Sequence, residues 1–164
     1  MASKANFTQG QWLKVLQSPL LAGFAVSAAD PSGLIGTLQE GMASAKALAA
    51  AKADAGSDEL IRCVVDDLLT AEGRTAARDS VRELIRNTEI GQIKIKALEE
   101  LRNVAKILDS ATPVESRPFK NWLTQVAVAV AEAASEGGLL GFGGEKVSDA
   151  ERATLAEIKA ALGL

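Results

Sequence analysis

Apolar residues recur at three- and four-residue steps through most of this chain, the period that places them on one face of a helix. Leu60, Ile61, Val64, Val65, Leu68 and Leu69 do so between Asp58 and Ala71, and Ala77, Val81, Leu84 and Ile85 between Thr75 and Asn87. Ile93, Ala97, Leu98, Leu101, Val104, Ala105 and Leu108 continue the pattern between Gly91 and Asp109. Phe119, Trp122, Leu123, Val126, Val130 and Ala133 carry it from Pro118 to Glu136. Leu155, Ile158 and Leu162 stripe a last helix that begins at Ser148. No segment keeps the two-residue alternation of a half-buried strand for long.

Upstream, Thr8 and Gln11 have the spacing of a capping box, which predicts a short helix from Thr8 to Gln17. Ser18-Pro19 predicts a restart, because proline favours the first helical position. The segment from Pro19 to Ala29 is apolar almost all round and reads as a buried core helix. Asp30-Pro31-Ser32-Gly33 is a turn signal. Leu34, Ile35, Leu38, Met42, Ala45, Leu48 and Ala49 then predict an alanine-rich helix to Asp54. Gly56 ends it, Ser57 caps the next helix, and Gly73 breaks that one. Pro113 and Pro118 bracket a loop. The expectation is an all-α single domain over residues 1–164, a bundle of seven to eight helices. The stretch from Pro118 to Leu164 is the element the others pack against. Val26 to Gly36 and Val130 to Gly141 share an alanine-rich helix end followed by Gly-Leu-aliphatic-Gly, a candidate internal echo.

Composition narrows the chemistry. The 164 residues are 48% apolar and 24% charged, with a net charge of −3. No global field draws the chain to nucleic acid or an anionic membrane. Histidine is absent, which removes the usual base near neutral pH and the commonest transition-metal ligand. The single cysteine, Cys63, excludes an intramolecular disulfide and fits a reduced, cytoplasmic setting. Neither a secretory signal core nor an uninterrupted apolar run long enough to span a bilayer is present.

The C-terminal pattern carries a resemblance. Glu136-Gly137-Gly138-Leu139-Leu140-Gly141-Phe142-Gly143-Gly144 and Val147-Ser148-Asp149-Ala150-Glu151 stand with Ser18-Pro19-Leu20-Leu21-Ala22-Gly23 and Ala29-Asp30-Pro31-Ser32-Gly33. Together they look like a family of uncharacterised bacterial all-helical proteins of similar length, to which no activity attaches. The Ser148-to-Glu151 step is also similar to one in tellurite-resistance TerB-like helical domains, and that likeness implies metal-responsive binding. The Asp-Gly that usually precedes the step is Gly144-Glu145 here.

Two features are candidate sites. Arg74, Arg78, Arg82 and Arg86 stand at strict four-residue spacing on one helix side. They could grip an anion or an acidic partner through forked hydrogen bonds, or pair with Asp66, Asp67, Glu99, Glu100, Asp79 and Glu83. No aromatic residue interleaves them, which argues against base stacking. The second is the glycine loop bearing Leu139, Leu140 and Phe142, either a plug for the core or a docking loop. It lacks the Lys-Ser or Lys-Thr of a phosphate loop, and Glu136 and Glu145 flank it where a membrane contact needs cations. Asp66 and Asp67 point about 100° apart on a helix and share no site unaided. The resulting expectation is a non-catalytic structural or protein-interaction module that self-associates, with no cofactor, metal or nucleic acid. The alternative is an anion-binding or enzymatic domain that uses the arginine ladder.

Overall fold

A computed structural model describes residues 2–29, 58–136 and 147–164. Among them are a short 3-10 turn, Lys4–Asn6, and six α-helices: α1 (Gln9–Ser27), α2 (Glu59–Leu69), α3 (Ala71–Ile85), α4 (Ile90–Ala111), α5 (Pro113–Glu136) and α6 (Asp149–Leu162). No strand occurs among the described residues. No helix among them is long and apolar enough to cross a membrane.

Among the described residues the count is six rather than seven or eight, for two reasons. The alanine-rich helix expected after Asp30 lies outside the described residues, and the two helices expected on either side of Ser18-Pro19 are one. Pro19 lacks an N–H, so it leaves the Val15 carbonyl without its normal helical donor. The Ser18 hydroxyl takes that place, donating to Val15 O at 2.7 Å. Ser18 and Pro19 are both buried, so the substitute donor lies inside the core, where an orphaned carbonyl would cost most. Ser18 is thus a patch within a helix and not the cap of a new one.

Burial follows the expected stripes except at Leu69, the last residue of α2, which is 57% exposed. Leu60, Val64, Leu101, Val104, Leu108, Phe119, Leu123, Ile158 and Leu162 are fully buried. The element that binds them together is α1, which packs against every other described helix. Twelve of its 19 residues are buried, as an all-round apolar pattern requires. The C-terminal stretch expected to hold this central place packs beside α1 instead. Gly23 lets α1 and α5 approach: a Cβ there would lie 3.1 Å from Val130 Cγ2.

Helix ends obey local chemistry, with three corrections. The Thr8–Gln11 and Ser148–Glu151 capping boxes both form, and Gly163 closes α6 in the left-handed conformation, φ 72°. The cap of α2 is Asp58, one residue beyond the expected Ser57; its carboxylate accepts from the Leu60 and Ile61 amides at 3.1 and 3.3 Å. Pro113 and Pro118 do not bracket a loop, since α5 begins at Pro113 and runs through Pro118. Val114, whose carbonyl loses its helical donor at Pro118, is 83% exposed, so this first turn of α5 lies at the surface, where water can reach it. Finally, Gly73 does not break α2. The break is at Thr70, which ends α2 and starts α3: its Oγ1 donates to Asp67 O at 2.7 Å and accepts from Gly73 N at 2.9 Å. Gly73 is required by the tightness of that corner, because a Cβ would sit 2.1 Å from Asp67 O.

Candidate functional site

The arginine ladder lies on α3 and its C-terminal cap. The helix buries Gly73, Ala77 and Val81 against the bundle, so the residues between them face outward. Arg74, Arg78, Arg82 and Arg86 are all exposed. Arg74 Nη1 donates to the Leu69 carbonyl at 3.1 Å, near the negative end of α2. Arg82 pairs with Asp79 at 3.4 Å and Arg86 with Glu83 at 3.2 Å. These pairings run along α3 itself, not to acids of neighbouring helices. Among the described residues Arg78 has no ion-pair partner. Arg82 and Arg86 side chains remain 69% and 68% exposed, a setting in which such pairs contribute about 0–1 kcal/mol each. A strict four-residue step also drifts about 40° per turn on a 3.6-residue helix. The guanidinium groups therefore wrap along the surface and form no common pocket.

The other predicted site, Leu139, Leu140 and Phe142, lies outside the described residues, as does the glycine half of the internal echo.

Two acids expected near the ladder serve elsewhere. Glu100, on α4, is buried and accepts from Lys14 Nζ at 2.7 Å, Gln17 Nε2 at 3.3 Å and Asn103 Nδ2 at 3.0 Å. This cluster ties α1 to α4, with the Gln17 Oε1 buried and unpartnered. A second polar tie joins α4 to α5: the buried Lys120 ammonium donates to both Asp109 carboxylate oxygens, at 2.7 and 2.8 Å, and the Ser116 hydroxyl donates to Oδ1 as well. Hydrogen bonds from Lys120 and then Ser116 hold the Asp109 carboxyl below its ordinary range, against a smaller upward push from burial.

The remaining acid, Asp67, belongs to a cleft of about 570 Å³ between the N-terminal turn, the start of α1 and the α2–α3 corner. Phe7 and Trp12 form its aromatic walls, with ring centroids 5.8 Å apart and planes inclined at 45°. Trp12 Nε1 donates to Asp67 Oδ2 at 2.7 Å, and Lys4 Nζ approaches the same oxygen at 3.0 Å. The ammonium also stands 5.6 Å from the centre of the Trp12 ring, a cation–π arrangement worth about 0.5–2 kcal/mol. Burial is the largest influence on the Asp67 carboxyl and pushes its pKa up. The Trp12 and Lys4 hydrogen bonds together outweigh it and leave the pKa lowered. Elsewhere on α2, burial pushes the Cys63 thiol up, with Glu59 and Asp66 adding to it. That shift disfavours the thiolate a nucleophile needs.

Searches against family models, curated proteins and solved structures match nothing. The fold brings together Lys4, Trp12 and Asp67, which no pattern along the chain joins, since Lys4 and Asp67 are 63 positions apart. The only advance signal was the Thr8–Gln11 box, which places Trp12 in the first turn of a helix.

Proposed function

We propose that this chain is a non-catalytic helical module that works through protein contact, self-association included, and that the outer side of α3 is a contact surface. The supporting observation is the solvent-facing row Arg74, Arg78, Arg82 and Arg86, whose ion pairs among the described residues, Arg82–Asp79 and Arg86–Glu83, run along α3 and its cap. Such a row adds little to stability, yet presents planar donors suited to the carboxylates of an acidic partner. The cytoplasmic setting of this reading rests on the lone, unbridged Cys63.

Binding of a labelled hexaglutamate peptide tests the surface. The expected outcome is salt-sensitive binding that Arg78→Glu with Arg82→Glu abolishes; equal binding by that variant would overturn the role of α3. Light scattering tests self-association, and a monomer at high micromolar concentration would remove that part of the reading. A second reading, a site for a small anion or an anionic substrate, is favoured by one observation: Arg78 has no ion-pair partner among the described residues. Calorimetric titration with inorganic phosphate separates the two, because only a discrete anion site saturates with the free ion.

A further inference from the structure

We propose that the cleft beside Trp12 is a binding site for an alkylammonium group, and that the chain's own Lys4 ammonium occupies it as a tethered competitor. The walls of the site are fixed and its present occupant is not. Trp12 is 4% exposed and is anchored by α1, while the Asp67 side chain is 22% exposed and locked to the Trp12 indole. Gly73 leaves that carboxylate the room it occupies, since a Cβ there would lie 2.9 Å from Asp67 Oδ1. Lys4, by contrast, sits on a three-residue turn with its side chain 65% exposed. Its ammonium combines what an aromatic face and a carboxylate together select, a compact cation on an apolar stem.

The charge balance favours a cation over an anion. Among the described residues Asp67 and Glu72 line the cleft against Lys4 alone, so withdrawing Lys4 leaves two acids beside two aromatic rings. At about 570 Å³ the cleft exceeds what one lysine tip fills and falls within the usual range of small-ligand pockets, about 300–1,000 Å³. The ammonium belongs either to a free amine or to a lysine side chain of another protein, and both present the same chemistry to Trp12 and Asp67. The site is separate from the arginine row, so either can fail alone.

The test follows the two indole N–H signals by NMR while n-butylammonium chloride is titrated into the Lys4→Ala protein. The Trp12 signal, assigned through Trp12→Phe, should move saturably while the Trp122 signal stays. Asp67→Asn in the same background should abolish the movement, and n-butanol and sodium chloride should not reproduce it. The native protein should bind about tenfold more weakly, because a tethered side chain competes at an effective concentration of order millimolar. Lys4→Met, which keeps an apolar stem without charge, should behave as Lys4→Ala does. A neutral peptide with one lysine, tighter than n-butylammonium, would assign the site to a protein's lysine; equal affinity would assign it to free amines. No saturable shift in either Lys4 variant, or an equal shift with n-butanol, would overturn the site. Equal affinity in native and variant proteins would overturn the competition.

Discussion

At the scale of single residues, three positions carry more than their chemistry alone suggests. Gly73 has no room for a side chain, so Gly73→Ala should force the α2–α3 corner apart at a cost of about 1–3 kcal/mol or more, as overpacking does. Urea unfolding would register it as a lowered midpoint, and Trp12 fluorescence would change because Asp67 moves with the corner. Asp67 and Asp109 titrate below their ordinary carboxyl range when folded. A lowered folded pKa means that the unfolded chain binds the proton first. The stability these two carboxylates supply is therefore complete above about pH 5, where the unfolded carboxyls are ionised. It is lost as pH falls through the folded values. Asp109→Asn should flatten that acid limb of the stability–pH profile, measured by denaturant unfolding between neutral pH and pH 3, and leave the neutral limb's slope unchanged.

At the scale of the element, α1 shows how a helix passes a proline inside a core. The Ser18 hydroxyl substitutes for the donor that Pro19 cannot offer. Ser18→Ala should then strand the buried Val15 carbonyl and cost about 1–3 kcal/mol. In Ser18→Ala with Pro19→Ala, the new amide at position 19 can reach Val15 O, and most of the loss should return. A double-mutant cycle of unfolding free energies would reveal the coupling; simple additivity would show that the hydroxyl plays no such part. The arginines of α3 present the opposite case, a helix whose outer side the fold leaves unused. Their spacing was legible, as were the same-helix partners Asp79 and Glu83; the engagement of Asp67 and Glu100 elsewhere was not, because spacing along one helix says nothing about which acids neighbouring helices keep for themselves.

At the scale of the whole molecule, α1 touches all the other described helices, so its loss would remove contacts from every one of them. Unfolding should be a single cooperative transition, with far-UV circular dichroism and tryptophan fluorescence coincident, since Trp12 and Trp122 report from different helices. Leu21→Ala, at a fully buried position of α1, should lower the whole transition by about 2–5 kcal/mol; two separated transitions would argue against one domain. Residue order alone determined the all-helical class, the inward stripes from Leu60 to Leu162 and the two capping boxes, because each depends on neighbours within a turn or two. Only the tertiary structure decided that α1 lies at the centre, that Ser18-Pro19 continues a helix, and that Lys4 and Trp12 meet Asp67. Those outcomes depend on which surfaces remain available once distant segments compete for the same burial and the same hydrogen-bond donors, and no local pattern records that competition.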